Sequence, residues 1–155
     1  WAKPDAKNKF QKKYPIAQNA IQLQQGTVMD LYPTILSVAH VKSPKHYALD
    51  GADLKKLLQG KEDKNHRDDF LMHFPHGEHR ANYFTTYRKG GWKLIYYYNP
   101  ETTGIPTWKL YNLKDDPYET SELSAKYPEK TASMIELMKN RLTEENALYP
   151  ITENK

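Results

Sequence analysis

The sequence predicts an α+β fold: a small four-stranded antiparallel sheet packed with a long C-terminal helix and preceded by short helices. Three observations predict it. Tyr83–Tyr98 (YFTTYRKGGWKLIYYY) has two arms rich in Tyr, Phe, Thr, Trp and Ile around Lys89-Gly90-Gly91, the composition of a β-hairpin. Asp69–Phe74 before it and Trp108–Leu113 after it read as further strands. A lone hairpin is marginal in water, so it must pair with them or lie on a helix. In Pro128–Asn146, Met134, Leu137, Met138, Arg141 and Leu142 recur at three-four spacing, which is one helix face. Strands grouped around a hairpin, with helices segregated from them, make the class α+β.

In chain order, Trp1–Gly26 is polar and rich in Lys and Gln, and reads as an arm or loop with a short extended piece near Tyr14–Ala17. Its lysines, Lys7, Lys9, Lys12 and Lys13, read as a solvated charge run. Thr27–Ala39 reads as a helix. Pro33 suits only a first turn, which places the start near Leu31 with Asp30 as the N-cap. Leu31, Ile35, Leu36 and Ala39 then share a face and are expected to pack in the core. Ser43-Pro44 and Asp50-Gly51 signal a loop. Ala52–Gln59 reads as a short helix with Leu54, Leu57 and Leu58 inward and Gly60 as its stop. Lys61–Asp69 reads as a charged surface loop, Asn99–Pro106 as a loop, and Lys114–Glu119 as a turn in which Asp side chains bond nearby backbone. On the second hairpin arm, Trp92, Leu94, Tyr96 and Tyr98 form the more apolar face, and Lys93, Ile95 and Tyr97 the other. The expected organisation is an arm over 1–26, a helical segment over 27–62 and a sheet-plus-helix subdomain over 63–155.

The totals bound the function. The 155 residues suffice for one domain of ordinary size. The chain has no cysteine, which excludes disulfides, thiolate metal sites and a cysteine nucleophile within it. Lys and Arg number 23 against 19 Asp and Glu, a net +4. Such a mild bias tolerates anionic partners but is no nucleic-acid footprint. No apolar run approaches the ~20 residues of a membrane helix. The opening Trp1, with no signal-peptide pattern after it, reads as the start of a fragment.

One stretch is chemically crowded. His73–Arg80 (HFPHGEHR) holds three histidines, a glutamate and an arginine, with Pro75 and Gly77 making a loop after a strand. Three readings stand open. A metal site through His73, His76 and His79 would need a fixed geometry that i, i+3, i+6 spacing in a loop does not supply. A loop contacting sulfate or phosphate oxygens suits imidazoles and the two-pronged Arg80 guanidinium. Polar loop histidines without a role are the third. Asp115 and Asp116 read as turn makers rather than an acid/base pair, and Tyr96–Tyr98 as buried ring positions rather than a stacking platform. Arg88 and Lys93 read as an exposed charged face rather than an anion clamp. No phosphate-cradling glycine loop, Gly-X-Ser-X-Gly elbow or His-Glu-X-X-His occurs.

The order of phrases says more. DLYPTIL (30–36), DGADL (50–54), LLQG (57–60), YRKGGWKLI (87–95), KLYNLKDDP (109–117) and ETSEL (119–123) follow one another along the chain. This run resembles the C-terminal part of the formylglycine-dependent sulfatases, the sulfuric ester hydrolases of the alkaline-phosphatase-like superfamily. MHFPH (72–76) is similar to a version in bacterial polysaccharide sulfatases. The resemblance implies a C-terminal subdomain of four antiparallel strands and a long helix, packed on an N-terminal catalytic domain of the same protein. It implies a sulfated glycan as substrate, no nucleic-acid partner, and a periplasmic or secreted parent. It also implies a calcium ion and a formylglycine in that parent. The nucleophile phrase Cys/Ser-X-Pro-X-Arg does not occur here, since Ser43-Pro44 has neither the spacing nor the arginine. No catalytic residue and no metal ligand is therefore carried over, and the chain alone is expected to be inactive. His73, His76, His79 and Arg80 are the expected substrate contacts at the rim of the cleft. The rival expectation is a freestanding polyanion- or glycan-binding module using Arg80, Arg88, Lys93 and the tyrosines.

Overall fold

The hairpin closes where the glycines stand. Strand β2 (Phe84–Lys89) pairs antiparallel with β3 (Trp92–Tyr97), Lys89 opposite Trp92, with Gly90 at φ 58° in the turn between them. β1 (Asp69–Phe74) pairs with β2, and β4 (Trp108–Asn112) with β3, giving one antiparallel sheet in the order β1-β2-β3-β4. The computed structural model describes residues 9–43, 45–75, 83–98, 104 and 106–149. These divide into two compact units, Trp1–Asp68 and Asp69–Lys155. The loop expected over Asn99–Pro106 lies largely outside the described residues.

In the second unit, Leu71, Tyr87, Leu94 and Leu110 lie opposite one another across all four strands. Side chains directly opposed share a face, so these four make one apolar row. Helix α4 (Pro128–Glu144, the label following α1–α3 below) lays Met134, Met138 and Leu142 on it, at i, i+4, i+8. Leu94, Leu110 and Met134 are fully buried, and both methionines pack as core residues. Pro128 stands at the first turn, as its missing N–H dictates. The helix stops two residues short of the expected Asn146. Asn146 turns left-handed at φ 50°, its N–H bonds the Thr143 carbonyl, and the Ala147 N–H bonds the Leu142 carbonyl. This double bond turns the chain back on itself after α4.

The opposite face of the sheet is more covered than its alternation suggests. Ile95 and Tyr111 are each 8% exposed there. The long side chains of that face contribute: Lys93 pairs with Glu119 at 2.7 Å, and the Lys109 ammonium lies 5.6 Å from the Tyr97 ring centre. The turn after β4 forms as read. Asp116 accepts from the Ser121 N–H and the Thr120 hydroxyl, and Asp115 accepts from the Asn112 amide. The free edge of β4 is then capped, the Leu110 N–H by the Glu122 carboxylate and the Leu110 carbonyl by the Leu123 N–H.

In the first unit, the stretch read as an arm contains helix α1 (Lys9–Lys13), with Lys9, Lys12 and Lys13 exposed and Tyr14 buried just after it. Helix α2 (Leu31–Ala39) follows a 3-10 turn at Val28–Asp30 and starts where Pro33 requires. Its expected core face is not buried. Leu31 and Ile35 are 51% and 63% exposed and Ala39 is exposed, whereas Thr34 is buried. Asp30 does not cap α2 with its side chain. Helix α3 is shorter than expected, Lys55–Leu58, with Leu57 inward and Gly60 at φ 73° beyond its end.

Candidate functional site

β1 alternation turns His73 to the α4 face, level with Thr85, Tyr96 and Trp108 on the next three strands. Both ring nitrogens of His73 are engaged. Nε2 lies 2.6 Å from the Leu148 carbonyl oxygen, which can only accept, so Nε2 carries a proton. In the neutral ring Nδ1 is then an acceptor, and the Thr85 hydroxyl donates to it at 2.7 Å. Thr85 in turn accepts from the Tyr98 hydroxyl at 2.8 Å. One hydrogen-bond chain thus runs from Tyr98 through Thr85 and His73 to the accepting Leu148 carbonyl. Thr85 is fully buried, and burial pushes the Tyr98 phenol above its ordinary value, so that hydroxyl keeps its proton to donate.

Aromatic rings surround this chain. Tyr149 stands edge-on to both His73 and Tyr98, at 6.0 and 6.1 Å between ring centres. Tyr98 packs on Tyr96 at 4.7 Å, and Tyr96 on Trp108 at 4.3 Å. Beyond Trp108 lies an open, mostly apolar groove floored by Pro106, Thr107, Pro128 and Ile135. Tyr97 occupies the other side of the sheet with Arg88 and Lys93, as period 2 requires. His73 is therefore held fast near the end of β1, which closes at Phe74. His76, His79 and Arg80 lie outside the described residues.

The first unit holds a second polar centre that sequence reading missed. The buried Asp30 carboxylate accepts the Thr27 N–H at 2.6 Å and the Ala52 N–H at 2.8 Å. One turn on, the Thr34 hydroxyl donates to the Asp30 carbonyl and accepts the Leu54 N–H. Asp30 and Thr34 tie α2 to the Asp50-Gly51 loop, where a Cβ on Gly51 would stand 2.2 Å from the Met29 carbonyl oxygen. His66, in the stretch read as charged surface, is buried. Its Nε2 donates to the Gln25 carbonyl at 2.9 Å and lies 3.7 Å from Asp30. The signal was the i, i+4 spacing of Asp30 and Thr34 beside a Pro and upstream of an Asp-Gly. No local signal marked His66. Among the described residues no group of three His, Asp or Glu side chains could hold a metal ion.

The description N-sulphoglucosamine sulphohydrolase, C-terminal, matches residues 5–147 as a family model. The chain belongs to that family. As a sulfatase C-terminal region it is 33% identical over 137 residues to an uncharacterized sulfatase of Schizosaccharomyces pombe, covering 80% of this chain and 23% of that protein. It is 31% identical over 153 residues to a sulfatase of Formosa agariphila, covering 84% and 25%. It also superposes on a solved structure described as being in complex with its substrate D-glucosamine-2-N,6-O-disulfate. That likeness has TM-score 0.58 and 29% identity, and covers 74% of this chain and 23% of that one. The sulfatase region spans about a quarter of the length of the curated relatives it matches.

Proposed function

We propose that this chain is the C-terminal quarter of a sulfatase that hydrolyses sulfate esters on a glycan. The family match over residues 5–147 carries this reading, and the similarity to a structure holding a disulfated glucosamine supports the substrate class. In such a protein the N-terminal part supplies the formylglycine and calcium, which would form the nucleophile and stabilise charge on the sulfate. Neither group finds its residues in the sequence phrases or among the described residues of this chain. It has no cysteine, Ser43-Pro44 lacks the arginine, and no metal-binding cluster stands among the described residues.

The role of this chain is binding and orientation. The stretch after β1, with His76, His79 and Arg80, contacts the sulfated sugar, Arg80 being suited to two sulfate oxygens at once and His76 and His79 to single ones. His73 holds Thr85 and Leu148 through its two ring nitrogens, which fixes the end of the strand from which that stretch departs. The test is His76→Ala in the full-length enzyme. Its kcat/KM on a sulfated sugar should fall about tenfold, with little change on a small aryl sulfate that cannot reach the rim. Equal losses on both substrates would remove the role assigned to this loop.

A further inference from the structure

Among its described residues the second unit leaves three tyrosines open to solvent: Tyr118, Tyr127 and Tyr149. Tyr127 packs on Trp92, and Tyr118 lies in the turn after β4. Trp92 and Asn112 share the row that begins at Asp69, so these two tyrosines belong to that end of the sheet. Tyr149 stands at the opposite end, beside His73. There β1 closes at Phe74 and β2 opens at Phe84, its partner. The stretch carrying His76, His79 and Arg80 therefore begins and ends at the Tyr149 end of the sheet.

Tyr149 is exposed and yet held. It is 56% exposed and Leu148 before it 82%, so neither residue contributes much to the core. The left-handed turn at Asn146 nonetheless brings them back to the sheet, where the Leu148 carbonyl accepts from His73 Nε2 at 2.6 Å. The Tyr149 ring then meets His73 and Tyr98 at interplanar angles of 71° and 69°. Burial does not account for this placement. A ring fixed in this way takes a flat partner at little ordering cost, because a tyrosine has only two side-chain torsions and both are already set. A pyranose is such a partner. One of its faces is a patch of slightly positive C–H groups, which suits the negative face of a phenol ring. We propose that Tyr149 is a specificity-determining residue whose ring stacks on a pyranose ring of the substrate. This rests on the reading of the chain as the C-terminal quarter of a sulfatase that acts on a glycan.

The test uses Tyr149→Ala and Tyr149→Phe in the full-length enzyme, with kcat and KM measured on a sulfated disaccharide and on a small aryl sulfate. The alanine variant should lose about tenfold in kcat/KM on the disaccharide, mostly through KM, and less than about twofold on the aryl sulfate. The phenylalanine variant keeps the ring and should stay within about twofold of the unsubstituted enzyme on both. An alanine variant that handles the disaccharide normally would overturn the proposal. So would a phenylalanine variant as impaired as alanine, which assigns the effect to the hydroxyl. Equal losses on both substrates would overturn it too, because they assign the ring to packing. An unsubstituted enzyme that cleaves neither substrate would remove the functional reading and this role with it. An active enzyme with an unaffected alanine variant would remove the role alone.

Discussion

Thr85 shows how much can depend on one hydroxyl. It sits at zero exposure in the middle of the sheet and links Tyr98 to His73, which holds the Leu148 carbonyl. Replacing it by a same-shaped apolar residue removes both bonds and leaves Tyr98 and His73 only their longer contact with each other, at 3.3 Å. Thr85→Val should cost about 1–3 kcal/mol in chemical denaturation, and Thr85→Ser much less. Equal midpoints for the two variants would show that the hydrogen-bond chain contributes nothing. At this scale sequence reading was uneven. His73 stood out because histidines crowd around it, yet its partners are 12, 25 and 75 residues away and no local pattern names them. Asp30 was legible as a helix-start residue, but its carboxylate serves the Thr27 and Ala52 N–H groups instead. Gly51 was legible as a turn signal, whereas its reason for lacking a side chain is the Met29 backbone lying against it.

Among elements, the strands and α4 were the most legible, because period 2 and period 3.6 are written locally and survive burial. The ends were less so. α4 stops where Asn146 takes a left-handed turn, and that turn brings the chain back so that Leu148 and Tyr149 reach His73. The edge of β4 depends on Glu122, which no strand pattern announces. Burial pushes the Glu122 carboxyl up, but the N–H groups of Leu110, Ser124 and Leu123 and the Ser124 hydroxyl outweigh it, and the group settles below its ordinary value. A carboxyl lowered by folding stabilises the fold above its unfolded value, near 4.5, and that contribution is lost as pH falls through the lowered one. Denaturation midpoints should therefore drop as the pH is taken below about 4.5, and Glu122→Gln should flatten that part of the profile while lowering the midpoint at neutral pH. An unchanged acid slope in the variant would assign the pH dependence to other carboxylates.

For the whole molecule, charge decides between the sulfatase reading and a freestanding polyanion binder. The net +4 is small, and among the described residues Lys56 pairs with Asp63, Lys93 with Glu119, and Arg141 with Asp69, Glu144 and Glu145. The chain alone should leave a heparin column at or below about 0.15 M salt, since its 19 Asp and Glu nearly balance its 23 Lys and Arg. Retention far above that would favour the freestanding binder. The sequence by itself determined the four strands, the long closing helix, the α+β class and the family, because periodicity, turn residues and the order of short phrases are properties of neighbouring residues. Only the tertiary structure decided which apolar residues are buried. Leu31 and Ile35 carry the same helical signature as Met134 and Met138, yet one pair faces outward and the other fills the core. The physical reason is that periodicity records which face of a helix avoids water, while burial depends on whether another surface stands against that face.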